Sequence, residues 1–392
     1  MGPRDHGTPS PLKRWWIIAA VLQAICCSNG LARAEAPSLA GFGDAIHHFQ
    51  LKRDATYSRY SPDDVRSIAE NLLLLQRDHG GWVQNRDPLQ IQDEAGREKL
   101  LAEKSRPEGS FDNRNVYTQI AYLAAAAKQL DEPRYLVAAS KGLEYLLRYQ
   151  LSDCGGWPHS VPASAPYQAH LTVADEVFSG PLQLLRAIHE GEGPYSAFAP
   201  ELRLAASQAL QRGEACLLRL QVRQGKLLTG WAGQYDVKTL QPAGGRSFEL
   251  PALVVQETVD IVRYLMRIPA PSPAVVASVE GATRWLATVK MSGWRQERVE
   301  LGKTVEYPHH RAEFDYRLVK DSSAPPLWPR FVDLADNSIV LANRDGVRVR
   351  DYSLVDPERR TGYAWFGQWP RKLLDEDLSL WRARHHLTRP VD

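Results

Sequence analysis

The chain has 392 residues, of which 44% are hydrophobic and 24% are charged, values typical of a globular protein. This composition excludes a disordered chain, a collagen and a membrane protein with several spans. The formal net charge is only +2, so nothing indicates a partner among nucleic acids. The eleven tryptophans are the unusual feature, and four of them mark a repeat.

Residues 1–34 have the three parts of a secretory signal peptide. Two basic residues precede an apolar run at 15–27, and Ala32-Arg33-Ala34 supplies the small residues that a signal peptidase reads. The run of about 13 residues is too short to span a bilayer comfortably, although a signal anchor is the alternative. We therefore expect a bacterial protein exported to the periplasm or the medium, with no stable membrane anchor.

Removal of this segment changes the charge and the number of cysteines. It takes away four basic residues, one acidic residue and two of the four cysteines, so the mature chain carries a net charge of −1. Cys154 and Cys216 remain. They either form one disulfide in an oxidising compartment or are two small buried residues, and the sequence leaves both alternatives open.

Amphipathic helices with a 3.6-residue period fill most of the mature chain. The predicted helices lie at roughly 63–78, 116–130, 133–150, 174–190, 198–222, 251–267 and 272–290. Four of the helices lead into glycine followed by tryptophan, at Trp82, Trp157, Trp231 and Trp294, with intervals of 75, 74 and 63 residues. Glycine supplies the left-handed turn that closes a helix, and tryptophan packs on the helix ends.

A repeat of this length holds two helices and their loops. Helical hairpins that bury their faces on one another form a solenoid or a closed ring. Because the loops between the helices are long and variable, we predict a mainly α fold, an (α/α) toroid over residues 35–295. A generic helical domain is the alternative.

The helical period disappears after Trp294. Residues 330–341 alternate like strands around a turn at Asp336-Asn337, and a last helical stretch follows at 370–384. We predict that residues 296–392 form a small, irregular, partly β subdomain with a closing C-terminal helix.

Carboxylates precede two of the predicted helices, and no motif for zinc, for a nucleophilic serine or for phosphate binding occurs. Asp112 and the pair Asp175-Glu176 stand at these helix starts. They either cap the helices or share a hard cation such as Ca²⁺, because helix starts in a ring of hairpins gather at one end. Arg246 lies in a loop before a helix and either forms a surface salt bridge or forks onto a substrate carboxylate, as Arg330 is also suited to do.

A series of short motifs is specific in its order and spacing, although each motif alone is weak. They are Gln76-Arg77-Asp78-His79-Gly80-Gly81-Trp82, Phe111-Asp112-Asn113, Gly155-Gly156-Trp157-Pro158, His170-Leu171-Thr172-Val173-Ala174-Asp175, Trp231-Ala232-Gly233-Gln234-Tyr235-Asp236, Arg246-Ser247-Phe248-Glu249, Trp328-Pro329-Arg330-Phe331 and Arg359-Arg360-Thr361-Gly362-Tyr363-Ala364-Trp365. With these motifs the chain resembles the family-10 polysaccharide lyases, which are pectate lyases, over about residues 65–373.

The resemblance implies an (α/α) toroid with a small second domain and Ca²⁺-assisted β-elimination on polygalacturonate. By this resemblance, Asp112 and Asp175 bind the Ca²⁺ ion, Arg246 is the base and Arg330 holds a substrate carboxylate. An arginine base requires a lowered pKa, since the ordinary value exceeds 12. We expect burial and a nearby cation to lower the pKa of Arg246.

Further candidates and partners complete the expectation. Glu176 is a second candidate for the cation, and Asn113, Gln234 and Arg360 are candidates for substrate binding. The expected partner is an acidic polysaccharide, polygalacturonate or pectate, and we expect a monomer.

The chain departs from the family pattern at several positions that we expect to line substrate subsites. The family usually has Asp-Asn-Gly-Ala-Thr where residues 112–116 read Asp-Asn-Arg-Asn-Val. One alternative is therefore a homologue that binds uronides without cleaving them. A glycoside hydrolase on the same toroid, with two carboxylates as acid and base, is a further alternative.

Overall fold

The computed structural model describes residues 36–51 and 56–387, so the predicted signal peptide lies outside the described residues. From Ala36 onward the chain forms one compact unit. The helices are α1 Gly43–Leu51, α2 Val65–Leu75, α3 Glu94–Ala102, α4 Tyr117–Leu130, α5 Pro133–Arg148, α6 Ser179–Glu190, α7 Pro200–Leu220, α8 Val255–Met266, α9 Pro273–Thr288, α10 Pro357–Gly362 and α11 Leu378–Arg384.

Two strands, β9 and β10, form a long antiparallel hairpin, and the other strands have two residues each. The strands are β1 Gly109–Ser110, β2 Ser160–Val161, β3 Leu171–Thr172, β4 Arg223–Gln224, β5 Leu227–Leu228, β6 Gln234–Tyr235, β7 Pro242–Ala243, β8 Leu253–Val254, β9 Trp294–Glu306, β10 Arg311–Lys320, β11 Trp328–Pro329, β12 Phe331–Val332, β13 Leu341–Ala342, β14 Arg348–Val349 and β15 Phe366–Gly367. Among the described residues, no helix combines the length and the apolar character needed to cross a bilayer.

The helices pack as hairpins in two rows. Helix α4 packs on α5, α6 on α7 and α8 on α9. Neighbouring hairpins then contact one another row by row, with α4, α6 and α8 in one row and α2, α5, α7 and α9 in the other. Both rows contribute to one large hydrophobic core. This arrangement confirms the predicted (α/α) toroid.

The predicted tryptophan repeat closes each turn of the toroid with the same hydrogen bond. The indole N–H groups of Trp82, Trp157 and Trp231 donate to the carbonyls of Leu72, Leu146 and Leu217, at 2.9, 2.9 and 2.8 Å. Each indole thereby bonds a carbonyl in the last turn of the preceding helix, where the intrahelical hydrogen bonds end; the Leu72 carbonyl also accepts the Gln76 N–H at 3.0 Å. Two glycines precede both Trp82 and Trp157. The first glycine of each pair, Gly80 or Gly155, has a left-handed backbone.

A glutamine in each of these turns links neighbouring helices of the second row. The side-chain amides of Gln76, Gln150 and Gln221 donate to the carbonyls of Ala138, Ala209 and Ser278, at 2.9, 2.8 and 3.0 Å. The repeat therefore contains a buried amide bridge as well as an aromatic plate, and the bridge joins α2 to α5, α5 to α7 and α7 to α9.

The structure corrects the fourth member of the repeat. The indole that donates to the last turn of α9 belongs to Trp328, which bonds the carbonyl of Leu286 at 2.7 Å. Trp294 instead begins strand β9 and stays half-buried, with its ring 5.8 Å from the Lys320 ammonium. The hairpin β9–β10 is therefore inserted between the glycine of the fourth turn and its tryptophan, so the interval from Trp231 to the fourth tryptophan of the repeat is 97 residues (328 − 231) rather than 63.

The partly β segment has a second, smaller hydrophobic cluster, which includes Phe248, Phe331, Tyr352 and Trp365. Strand β8 pairs with β12, and β11 pairs with β15, so this segment is hydrogen-bonded to the loop that leads into α8. The predicted turn at 336–337 is present, with Asn337 in the left-handed region. The predicted boundary at 295/296 stays a prediction.

The two cysteines of the mature chain form a disulfide. Cys154 follows α5 and Cys216 lies on α7, with 5.0 Å between the Cα atoms. The bond joins two neighbouring helices of the second row.

Candidate functional site

The tryptophan repeat places carboxylates at one end of the toroid. In three successive repeats the tryptophan carbonyl accepts a hydrogen bond from the loop that leads into the first row of helices: Ser110 N to Trp82 O (3.1 Å), Thr172 N to Trp157 O (2.9 Å) and Val254 N to Trp231 O (2.8 Å). An acidic residue stands two or three positions after each bonded residue, at Asp112, Asp175 and Glu257. Asp112 and Asp175 lie five and four residues before α4 and α6 begin, whereas Glu257 lies in the first turn of α8.

The three carboxylates line one cleft of about 440 Å³. Arg246 and Arg330 line the same cleft, on the side formed by the partly β segment. Glu249 lines the cleft as well, so two cationic and four anionic side chains face one space, which suits an anionic ligand bound together with a cation.

The capping alternative for Asp112 and Asp175 is wrong. Helices α4 and α6 begin with no side-chain cap hydrogen bond. The loop backbone is instead left-handed at two consecutive residues before each helix, with φ of 53° and 62° at Asn113 and Arg114 and of 55° and 58° at Asp175 and Glu176. Such conformations are costly for residues other than glycine, and they cluster at functional sites.

Asp112 and Asp175 form a like-charged pair in the cleft. Asp175 is exposed to the cleft but surrounded by protein on its other sides. Loss of solvent around its carboxyl and the nearby Asp112 carboxylate raise the pKa of Asp175 to about 7. On the opposite side, His159 Nε2 lies 3.3 Å from Asp112 Oδ2. A cation between the two carboxylates would relieve their repulsion.

The donor set of this pair fits Ca²⁺. Calcium takes six to eight oxygen ligands, including carboxylates and waters. Among residues 36–51 and 56–387, no group of three or more His, Cys, Asp or Glu side chains is arranged to hold a metal. Asp112 and Asp175 would therefore supply part of the shell, and water or substrate oxygens would supply the rest.

Arg246 is held by a carboxylate and two aromatic rings. Its guanidinium forks onto Glu249, with Nε 3.0 Å from Oε2 and a terminal nitrogen 2.5 Å from Oε1. It also stacks over Phe248 and Tyr363, at 5.0 and 5.5 Å from the ring centres. The side chain keeps 48% of its surface exposed, so it remains accessible from the cleft.

The pair with Glu249 acts against the expected lowering of the Arg246 pKa. Burial alone would lower that pKa, but the hydrogen bonds and the charge of Glu249 outweigh burial and raise it. In turn, Arg246 holds the pKa of Glu249 down at about 2, against the effect of burial. The ion pair therefore favours a protonated Arg246.

Arg330 is anchored by its backbone and paired by its side chain. Its N–H donates to Trp365 O at 2.7 Å, and its carbonyl accepts from Val255 N at 2.9 Å. One terminal nitrogen donates to Glu257 Oε1 at 2.7 Å. Among the described residues, Arg330 Nε and Glu257 Oε2 have no hydrogen-bond partner. Arg330 Nε and Glu257 Oε2 are both buried atoms.

The structure brings two of the remaining predicted residues to the cleft. Asn113 donates to Asn85 Oδ1 at 2.8 Å. Gln234 donates to Thr172 Oγ1 at 2.9 Å and to the carbonyl of Tyr167 at 3.1 Å. Both Asn113 and Gln234 line the cleft.

Glu176 and Arg360 do not line it. Glu176 turns away from Asp175 and accepts hydrogen bonds from Arg114 and Tyr117, both at 2.8 Å. Arg360 forks onto Asp315 and lines a separate cavity under the β9–β10 hairpin. An arginine neutralises Glu176, and Arg360 already binds a carboxylate of the protein. Their predicted roles stay predictions.

Four residues of the site were not predicted as site residues. His159 follows the Gly-Gly-Trp-Pro motif, and Glu249 ends the Arg-Ser-Phe-Glu motif, so each lies in or beside a motif that the sequence analysis noticed. Glu257 follows the loop residue that bonds the Trp231 carbonyl, as Asp112 follows the one that bonds the Trp82 carbonyl. His48 lines the cleft from α1, a helix that the sequence analysis missed.

The chain is similar to known proteins in both sequence and structure. The family model described as pectic acid lyase matches residues 76–374. A family 10 polysaccharide lyase from Cellvibrio cellulosa has a similar structure, with a TM-score of 0.69 and 23% identity, over 88% of this chain and 98% of that chain. A mutant of a family 10 lyase from the same organism, in complex with trigalacturonic acid, matches with a TM-score of 0.68 and 23% identity, over 88% and 99% of the two chains. At this identity the structures show the shared fold. No match was found among curated proteins.

Proposed function

The chain belongs to the pectic acid lyase family, and from that membership we propose that it is an exported pectate lyase that cleaves polygalacturonate by Ca²⁺-assisted β-elimination. The observation that carries the proposal is the single cleft shared by Asp112, Asp175, Arg246 and Arg330. The like-charged carboxylates suit a cation, and the arginines suit the carboxylates of an acidic polymer.

Each side chain would have a distinct role. Asp112 and Asp175 would hold Ca²⁺, which neutralises a uronate carboxylate and thereby acidifies the C5 proton. Arg330 would bind a carboxylate of the substrate through its guanidinium, which lines the cleft. Arg246 would take the C5 proton, and the glycosidic oxygen would then leave from C4.

Removal of a proton by Arg246 requires a neutral guanidine. Charge repulsion from a bound cation would lower the pKa of Arg246, whereas Glu249 raises it. A substrate hydroxyl that donates to Glu249 in place of Arg246 would weaken the pair. We therefore propose that Arg246 acts as a base only in the complex with substrate and cation.

Three further observations support the proposal. The relative in complex with trigalacturonic acid shares the fold over most of both chains. The disulfide between Cys154 and Cys216 suits an oxidising compartment outside the cytosol, in agreement with the predicted signal peptide. The mature chain has a net charge of −1, so its overall charge does not attract an acidic polymer. Local arginines and a bound cation would provide that attraction.

The test is incubation of the mature protein with polygalacturonate and Ca²⁺. We expect unsaturated products that absorb in the ultraviolet, and we expect a chelator to abolish them. Arg246→Ala should also abolish them, whereas Arg284→Ala, an exposed residue on α9, should retain full activity. Product formation by Arg246→Ala at the wild-type rate would contradict the assigned base.

A non-catalytic uronide-binding protein is the second candidate. It is favoured by the Arg246–Glu249 ion pair, which keeps the proposed base protonated. This alternative predicts binding of trigalacturonic acid in calorimetry without any new ultraviolet absorbance.

A further inference from the structure

Helix α1 is fixed against the toroid by an apolar face. Phe42, which precedes α1, and Ala45 and Phe49 within it are all at most 5% exposed. The Phe42 ring meets the Tyr122 ring of α4 edge to face, at 5.9 Å. Phe49 packs in the same way on Tyr57, at 5.4 Å. The rest of α1 is therefore held in a defined orientation.

A second face of α1 is polar and points toward the cleft loops. Asp44 and His48 are four residues apart, so they are neighbours on one helix face. Asp44 pairs with Arg114, with 3.4 Å between Oδ2 and Nε. His48, one turn later, lines the cleft.

Arg114 connects α1 to the loop of the proposed cation site. Its terminal nitrogen lies 2.8 Å from Glu176 Oε1, and Glu176 directly follows Asp175. Arg114 thus bridges an acidic residue of α1 and an acidic residue of the strained turn.

We propose that α1 forms an end wall of the cleft and that His48 binds a uronate unit of the substrate, at a position additional to Arg246 and Arg330. The amides of Gln84, Asn85 and Asn113 line the same cleft as His48. An imidazole N–H and side-chain amides together suit the hydroxyl and carboxylate oxygens of a sugar acid. This inference rests on the proposed function, because the ligand class is that of the proposed substrate.

The test uses a matched pair of adjacent histidines. His47 is exposed and does not line the cleft, whereas His48 is half-buried and does. We expect His48→Ala to raise KM for polygalacturonate about tenfold, the value for a hydrogen bond to a charged group, with kcat within about twofold of wild type. His47→Ala should change neither constant, and His48→Gln should recover part of the lost affinity. Asp44→Asn, which cuts the bridge on the α1 side, should raise KM in the same direction.

Calorimetric titration of galacturonate oligomers of increasing length into Arg246→Ala separates the outcomes. His48→Ala in that background should weaken binding of the longer oligomers, with smaller effects on short ones that do not reach α1. Equal affinities of the His48→Ala and His47→Ala proteins for all lengths, with wild-type protein active, would overturn the inference alone. Failure of the wild-type protein to bind or cleave any uronide would instead overturn the proposed function, and the inference with it.

Discussion

Separate substitutions of Trp328 and Trp294 test which of these tryptophans closes the fourth turn of the repeat. Trp328 is 2% exposed, and its indole satisfies the Leu286 carbonyl at 2.7 Å. Trp328→Ala removes a buried aromatic side chain and leaves that carbonyl without its partner. We expect a loss of about 3–5 kcal/mol in the free energy of unfolding, the range for truncation of a buried aromatic residue. Trp294→Ala, in a half-buried strand position, should cost roughly 1 kcal/mol or less.

The measurement is urea unfolding of both variants beside wild type, followed by circular dichroism and tryptophan fluorescence. Trp328→Phe refines the test, because it keeps an aromatic ring but loses the hydrogen bond, and should cost about 1–3 kcal/mol through the unsatisfied carbonyl. Equal losses for Trp328→Ala and Trp294→Ala, or a larger loss at Trp294, would refute the assignment of the fourth repeat.

Three other predictions concern the disulfide and the cleft. Replacement of both Cys154 and Cys216 by alanine should lower the free energy of unfolding by about 4 kcal/mol, the loop-entropy value for a separation of 62 residues, and a urea midpoint unchanged from wild type would contradict it. The pKa of Asp175 is raised from 3.8 to about 7, so the free energy of unfolding without a cation should fall as the pH rises between these values. Ca²⁺ affinity measured by calorimetry should rise over the same interval. Asp112→Asn should weaken both trends, and pH-independent Ca²⁺ binding would count against the proposed carboxylate pair. Glu257→Gln leaves a buried arginine without a counter-ion and should cost about 3–5 kcal/mol in urea unfolding, so a variant as stable as wild type would show that this ion pair is not needed.

The toroid could be predicted because its repeat combines two local signals. The helical period and the glycine–tryptophan turns both depend on residues close in sequence, as at Trp82 and Trp157. The fourth turn could not be assigned in this way. An inserted β-hairpin separates Gly293 from Trp328, and Trp294 follows that glycine directly, so the sequence offered the wrong tryptophan.

The candidate site was predictable only where residues at helix starts are brought together by the repeat. Asp112, Asp175 and Glu257 all lie near helix starts that the repeat brings to the cleft, and only the first two were predicted. The position of Glu176 outside the cleft could not be predicted, because its loop holds two consecutive left-handed residues and backbone conformation of this kind has no sequence signal outside glycine. The position of Arg360 could not be predicted because its partner, Asp315, is distant in sequence.

Mass spectrometry of the products formed from polygalacturonate and Ca²⁺ distinguishes β-elimination from hydrolysis and from binding alone. We expect oligomers with unsaturated ends, each lighter by one water than a hydrolysis product, and their loss with a chelator or with Arg246→Ala. Saturated ends formed without Ca²⁺ would contradict β-elimination and would indicate a glycoside hydrolase. Binding of substrate with no product would contradict it in favour of a uronide-binding protein.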